Sequence, residues 1–552
     1  MMADAFLGIN ILHDTSAALV VDGELVAAAE EERFNCDRHT TAFPNSAIDF
    51  CFERAEITKG QLRGVAVTFD YRQFRLNLQP FEQNTINHDD VTLRGRRKIA
   101  EDNFATWRRA KRELARSGLP TPRFMRHHLT HAACGYYLSG FDGAGVVVFD
   151  GRGERESTSL WRGSGARLNH IESYSIYDSL GQLYTYVTSL CGLYGKIGNE
   201  GKTMGLSGYG TGRLHLDDVV TFDPNRYHID RKRMRELSRY RVPLGQLNSD
   251  SQELAYAVQK KLEEAYRFLA RRIQQLTGLR SFVLSGGVAL NCNANAMLAG
   301  SPDVERLYVP PAANDAGTSI GAAFVQWVEY SGKSPMVPID PVYLGPAFDE
   351  DAIKASIVRT GLTRVAKVCD PARIASEAIT KGLVVGWFQG AMEFGPRALG
   401  NRSILADPRD AEMPKKLNDR VKFREPWRPF APSVLQEKAE EWFTPTLVSP
   451  YMLLSLTVRS ERRSLIPAVT HIDGTSRIQS VTREVNPMYY RLIEEFFART
   501  GIPMVLNTSL NIRGESIART PDDAIRCLIN SGLDVLVIGN FVIWKENINL
   551  AL

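Results

Sequence analysis

The chain has 552 residues, 44% of them hydrophobic and 24% charged, with a formal net charge of +4. At roughly 150 residues per domain, the length allows three or four domain-sized units or two large ones. The composition excludes a largely disordered, collagen-like or coiled-coil chain, and so small a net charge gives no ground for nucleic-acid binding.

The N-terminus, MMADAFLGIN, has no basic leader and carries an acid early, so no signal peptide is expected. No apolar run reaches the length of a membrane span, so no membrane association is expected. Residues 5–9 predict a strand. A polar His13-Asp14 turn follows, then a hairpin of residues 17–21 and 25–29 about Asp22-Gly23. A similar unit recurs downstream: a buried strand at 145–149, the turn Asp150-Gly151-Arg152-Gly153, and a return strand at 158–162. Two such units suggest a duplicated α/β lobe. Between them, residues 70–122 read as irregular and end strongly basic, with Arg94, Arg96, Arg97, Lys98, Arg108, Arg109, Lys111, Arg112 and Arg116. That stretch is either a solvated helix face or a wall for an anionic ligand or partner. Residues 282–284 predict a strand that runs into Ser285-Gly286-Gly287 and a helix from Val288, a geometry that offers backbone N–H groups to a phosphate. Residues 340–349, with Pro341, Gly345 and Pro346, read as a linker. Helices at 351–359 and 372–381 and a strand at 383–388 follow it, and the main boundary is placed near 344. The seven scattered cysteines form no CxxC and read as free thiols in a reducing cytoplasm.

Three constellations carry chemistry. His127 and His131 stand at i, i+4, so on a helix they share one face and can grip one metal; capping or surface histidines are the plainer reading. Asp150 at a strand end and Asp315 in a loop leading to a helix would complete the set, and two His with two Asp suit a divalent first-row metal. The second is the glycine-rich stretch Gly198-Asn199-Glu200-Gly201-Lys202-Thr203-Met204-Gly205-Leu206, read as a loop. There Lys202 can neutralise phosphate and Glu200 can bind a sugar hydroxyl. The third gathers Arg397 and Arg402 with Lys422, Arg424, Arg428, Ser509 and Asn511. Cations in loops around rigid Gly-Pro turns suggest a polyanion such as ATP, with plain surface charge as the alternative. His471 in its polar turn reads as structural, and Trp387 and Phe388 as core.

Taken together, HDTSAALVVDGELVAAAEEERF, HHLTHAA, FDGRGE, NEGKTMGL, SGGVALNCNAN and EFGPRALGNRSILADPR resemble the O-carbamoyltransferase family of nodulation, cephalosporin and aminoglycoside (tobramycin-type) biosynthesis, over residues 5–545. The resemblance implies an α/β protein of two parts. Residues 1–343 would form a duplicated actin/sugar-kinase-like, threonylcarbamoyl-transferase-like domain that transfers the carbamoyl group. Residues 344–552 would form an α/β adenylate-forming, YrdC-like domain that makes carbamoyl-adenylate from carbamoyl phosphate and ATP. The acceptor would be a hydroxyl of a small natural product.

It further implies that His127, His131, Asp150 and Asp315 hold a divalent metal, iron(II) (Fe2+) being the one suggested, while Mg2+ accompanies ATP. Arg397, Arg402, Lys422, Arg428, Ser509 and Asn511 match the ATP and carbamoyl-phosphate pocket. Glu200, Lys202 and Asn291 match adenylate-binding loops. His13 matches a histidine near the transferred group, so His13, Arg397 and Arg428 are the catalytic candidates. A cytoplasmic homodimer is implied. The segment Asn35-Cys36-Asp37-Arg38-His39 departs from the family by having less lysine, and acceptor choice is expected in 70–122. Three other readings stand beside this one: a tRNA-modifying threonylcarbamoyl enzyme, which needs an RNA-binding surface; a small-molecule kinase, which needs no HHLTHAA; and a nucleotide-binding scaffold, which forms no pyrophosphate.

Overall fold

The computed structural model describes residues 4–71, 105, 107–193, 198–337 and 342–545. Arg94, Arg96, Arg97 and Lys98, and Asp340 and Pro341 of the expected linker, lie outside the described residues. The chain divides into two compact units: Met1–Glu32 with His39–Pro341, and Arg33–Arg38 with Val342–Leu552.

In the first unit, strands β1 (Ala5–Asn10), β2 (Ser16–Val21), β3 (Glu24–Glu30), β4 (Leu62–Thr68) and β5 (Arg123–Met125) form a sheet of order β3-β2-β1-β4-β5. The β1-β2-β3 meander is antiparallel, and β1, β4 and β5 run parallel. Asp22 and Gly23 both take left-handed backbone, which a two-residue hairpin turn requires. A second sheet repeats the plan. Strands β6 (Gly143–Phe149), β7 (Glu156–Ser164) and β8 (Arg167–Ser175) form the meander. After a small hairpin of β9 (Val220–Phe222) and β10 (Tyr227–Ile229), β11 (Ser281–Ser285) and β12 (Arg306–Tyr308) pair parallel beside β6. The order β12-β11-β6-β7-β8 matches the first sheet strand for strand and direction for direction. The expected duplicated α/β lobe is therefore present. Its central strands are continuous apolar runs, as strands covered on both faces must be.

Helix Thr318–Ser331 packs against helix His127–Ser139 at close range. A Cβ on Gly321 would stand 1.8 Å from the Thr130 carbonyl oxygen, so only glycine admits that approach. Two expected elements differ. The glycine-rich stretch is helical over Glu200–Leu206, and the helix expected from Val288 is a 3-10 helix over Gly287–Leu290 that gives way to an α-helix from Cys292, where the Asn291 side chain caps the N–H of Ala294. Residues 107–116 are helical, with Arg108, Arg109, Lys111, Arg112 and Arg116 exposed.

The second unit is built on a mixed sheet. Its strands are β13 (Val365–Lys367), β14 (Val385–Phe388), β15 (Arg402–Ala406), β16 (Ala431–Leu435), β17 (Phe443–Thr444), β18 (Leu454–Val458), β19 (Thr475–Val481), β20 (Met504–Ser509), β21 (Val535–Ile538) and β22 (Phe541–Trp544). Their order is β13-β22-β21-β14-β15-β20-β16-β19-β18-β17. The expected helices appear as Glu350–Thr360 and Pro371–Thr380, and Trp387 and Phe388 are buried core, as read from the sequence. All seven cysteines are free. Among the described residues, no helix is long and apolar enough to cross a membrane.

Candidate metal centre and cation cluster

Helix His127–Ser139 begins immediately after β5. The His127 N–H donates to both Glu154 carboxylate oxygens, at 3.0 and 3.2 Å, so a buried acid satisfies the first orphan donor of the helix. One turn later His131 lies on the same face, and the two buried rings bring their Nε2 atoms to 3.1 Å. Asp150 follows β6 directly, and its Oδ2 stands 3.3 Å from His127 Nε2. Asp315 opens the turn before helix Thr318–Ser331, with Oδ1 3.5 Å from His127 Nε2 and 3.4 Å from His131 Nε2. One donor atom from each of the four lies within 4.8 Å of the others. The Nδ1 atoms of both rings are buried without a hydrogen-bond partner, so each ring turns Nε2 toward the carboxylates. Two imidazoles and two carboxylates converging this closely fit a first-row divalent cation.

The electrostatics match that arrangement. Burial pulls His127 down, yet Asp315 and Asp150 outweigh it and hold His127 well above the ordinary histidine range. Burial and then His127 push His131 below that range. Burial raises Asp315, but His13 and His127 bring its carboxyl well below the ordinary value.

His13 joins the same site. Asn10 Nδ2 holds the turn by donating to the carbonyls of His13 (2.8 Å) and Asp14 (3.1 Å). The His13 Nε2 then stands 3.3 Å from Asp315 Oδ2. Burial lowers its pKa, but Asp315 and Asp14 win and hold it at about 10. The remaining first-unit candidates have other commitments. Glu200 accepts from Thr185 Oγ1 at 2.8 Å, and Lys202 is half-buried on the same short helix. Asn291 exchanges two amide hydrogen bonds with Gln259 besides capping its helix.

In the second unit, Glu393 and Arg402 clamp the loop between them. Glu393 Oε1 accepts the N–H groups of Leu399, Asn401 and Arg402 at 2.8, 2.8 and 3.1 Å. Arg402 is fully buried over the Phe388 ring, and its two terminal nitrogens donate to the carbonyls of Gln389, Asn401, Pro346 and Gly390. Its guanidinium is thus committed to backbone carbonyls. Arg397, in the middle of the loop, is half-buried.

Lys422, Ser509 and Asn511 come together. The Lys422 ammonium donates to the Ser509 carbonyl and Oγ (3.2 Å) and to the Asn511 carbonyl (3.1 Å) and Oδ1 (2.8 Å). Burial and the charge of Arg424 hold Lys422 well below the usual lysine range, with Arg428 and Arg38 adding to the effect. Arg424 is pushed down to about 9 by burial, Arg428 and Arg477. Burial lowers Arg428 as well. Glu425 opposes this, while Arg38, Arg477 and Arg513 reinforce it. Cations this close, with Glu425 as an acidic neighbour, repel one another, and an anion among them would relieve that repulsion. Sequence reasoning missed Arg38, Arg477 and Arg513 as members of this cluster. None of them lies in a glycine-rich motif, so residue type was the only signal.

Residues 5–324 match the family described as carbamoyltransferase N-terminus, and residues 376–545 the one described as carbamoyltransferase C-terminus. The chain is 36% identical to an uncharacterized protein of Synechocystis, over 98% of this chain and 96% of that protein. It is 36% identical to the nodulation protein NolNO of Sinorhizobium fredii, over 97% of this chain and 80% of that protein. It is 31% identical to the 3'-hydroxymethylcephem-O-carbamoyltransferase of Amycolatopsis lactamdurans, over 62% of this chain and 65% of that enzyme. With both halves matched in order along the sequence, this protein belongs to the carbamoyltransferase family of enzymes.

Proposed function

We propose that the protein is an ATP-dependent O-carbamoyltransferase with one chemistry in each unit. The observation that carries this reading is the opposite character of the two constellations: His127, His131, Asp150 and Asp315 converge to hold a cation, and Lys422, Arg424, Arg428 and Arg477 crowd together to hold an anion. In the second unit, a YrdC-like domain in this reading, carbamoyl phosphate gives up inorganic phosphate to water. The carbamate oxygen then attacks the α-phosphorus of ATP, and pyrophosphate leaves. Arg397, Arg428 and Lys422 neutralise the phosphates, and Ser509 and Asn511 orient them.

In the first unit, the acceptor hydroxyl oxygen attacks the carbamoyl carbon of the adenylate, the bond to the phosphate oxygen breaks, AMP departs with the bonding electrons, and the hydroxyl proton passes to water. A divalent cation at the histidine-aspartate centre, iron(II) by family resemblance, would supply Lewis-acid charge there. His13, held by Asp14 at Nδ1 with Nε2 aimed toward Asp315, donates a hydrogen bond to the carbonyl oxygen as negative charge develops on it. Glu200 and Lys202 contact the adenylate. The acceptor is a hydroxylated small molecule. Two active sites on one chain also raise the effective concentration of an intermediate that water destroys.

Two variants test the assignment. Arg397→Ala should abolish pyrophosphate release from ATP and carbamoyl phosphate, and robust release by that variant would refute the second-unit assignment. His127→Ala should lose bound metal and carbamoyl transfer while still releasing pyrophosphate. Normal metal content in that variant would remove His127 from the ligand set.

A further inference from the structure

His39 lies beside His13 without touching the proposed reacting groups. Its Nδ1 stands 2.7 Å from Asp14 Oδ1. The other Asp14 oxygen meets His13 Nδ1 at 3.2 Å and accepts from Asn314 Nδ2 at 3.0 Å. Since His13 Nε2 reaches Asp315, one line of polar contacts runs from His39 through Asp14 and His13 to Asp315. Burial raises the Asp14 carboxyl, but the hydrogen bonds from His13 and His39 outweigh it and hold it below its ordinary range, so His39 Nδ1–H is the donor.

The backbone at this line is strained. Asp14 has φ 52° and His39 φ 58°, left-handed values that non-glycine residues adopt only where their surroundings over-determine them. Those surroundings are specific. The His39 N–H donates to Glu32 Oε2 at 2.9 Å, and Asn10 holds the carbonyls of His13 and Asp14. Gly198 packs against the far edge of the ring, where a Cβ would stand 2.6 Å from His39 Nε2. Asp14, Glu32 and His39 approach within 4.8 Å of one another. Both Asp14 oxygens and Glu32 Oε2 are already taken by N–H donors, so the trio works as a clamp and not as a second cation site.

We infer that His39 is a positioning residue for carbamoyl transfer: through Asp14 it fixes the orientation of the His13 ring and the aim of its Nε2. This rests on the reading that transfer occurs at the histidine-aspartate centre. The short bond to a carboxylate is of the charge-assisted class, and losing a partner of this kind costs on the order of ten- to a hundredfold in the function it supports.

The test uses the full-length protein and two variants. His39→Gly removes the ring without adding left-handed strain. His39→Asn also tolerates that backbone and restores an N–H donor toward Asp14. Transfer to 3-hydroxymethylcephem and to kanamycin, as probe hydroxyls, is followed by mass gain and normalised to pyrophosphate release by the same sample. The expected result is a roughly ten- to hundredfold fall in kcat for His39→Gly at unchanged acceptor KM, with most of the rate recovered in His39→Asn. A His39→Gly rate equal to wild type, or His39→Asn no better than His39→Gly, overturns the inference while leaving the transfer reading intact. If His127→Ala carbamoylates a probe as fast as wild type does, the transfer reading falls and this inference falls with it.

Discussion

Gly286→Ala should damage stability and the metal centre together. Gly286 has φ 91°, at the end of β11. A Cβ there would stand 1.9 Å from the Phe149 carbonyl oxygen and 2.5 Å from its carbon. Those atoms are backbone at the last residue of β6, so no flexible side chain can give way. The Gly286 ψ of 160° puts it in a positive-φ extended region open essentially to glycine, which costs an alanine about 1–3 kcal/mol, and overpacking against a fixed wall adds about 1–3 kcal/mol. The sum, about 2–6 kcal/mol, is a large part of the 5–15 kcal/mol that typically holds a domain folded. Relief requires the β6 end to move, and Asp150 is the next residue, bonded through Oδ1 to the Gly287 N–H at 3.3 Å. The variant should therefore unfold earlier in urea, followed by circular dichroism, and should bind cobalt(II) more weakly in a direct titration. A stability within about 0.5 kcal/mol of wild type, with cobalt affinity unchanged, would refute the reasoning.

Arg402→Lys should lower second-unit stability by about 3 kcal/mol, because an ammonium cannot replace a guanidinium that serves four carbonyls; an unchanged urea midpoint would contradict this. Lys422 is held below the usual lysine range, and a bound polyanion favours its charged form, so ATP binding should take up protons and weaken as pH rises. Calorimetry in two buffers of different ionisation enthalpy reads this directly, and equal linkage in wild type and Lys422→Met would sink it. The Glu253 carboxylate accepts the N–H groups of Thr211, Gly212 and Arg213 and the Thr211 hydroxyl. Burial opposes these bonds, but they win and hold its pKa at about 2, below the ordinary 4.5. Its contribution to stability is thus present above 4.5 and lost as pH falls toward 2. Glu253→Gln should flatten that acid limb in a series of thermal melts, and an unaltered pH profile would exclude the assignment.

Much of the fold was legible because local signals and tertiary structure agree. The Asp22-Gly23 turn, the apolar runs of β1, β6 and β11, and the duplicated plan are all local patterns. The convergence of His127 with His131 follows from helical spacing, and only their meeting with Asp150 and Asp315 needed three dimensions. Glu200–Leu206 went the other way. Its glycines read as loop, yet Gly201 stands inside the helix Glu200–Leu206 despite glycine's poor helix propensity. Arg402 and Arg397 are of one type in one motif, and nothing in their spacing reveals that the first serves carbonyls. Nor does any residue pattern announce that Arg33–Arg38, in the N-terminal part of the chain, belongs with the second unit and adds Arg38 to its cations. Those placements depend on long-range packing, which a periodicity argument does not reach.

The sign of each constellation dictates an order of events. ATP and carbamoyl phosphate are polyanions, and in the proposed reading the crowded arginines and Lys422 draw them to the second unit. In the proposed reading, the first unit holds three carboxylates, Asp150, Asp315 and Asp14, with His127 and His13 as their positively charged neighbours. An uncompensated carboxylate about 4 Å from a phosphate oxygen repels it by about 4 kcal/mol at an effective dielectric of 20, and the neighbouring imidazoles reduce that figure. A divalent cation among the carboxylates reverses that sign. Adenylate formation should therefore survive chelation, whereas transfer should not. Enzyme stripped with EDTA, dialysed and assayed with magnesium restored for ATP should release pyrophosphate at the untreated rate. It should carbamoylate a probe hydroxyl at less than about a hundredth of that rate, with recovery on adding iron(II) anaerobically. Undiminished transfer by metal-free protein would mean that the carboxylates do not face the adenylate phosphate, and the assignment of transfer to this centre would be lost with them.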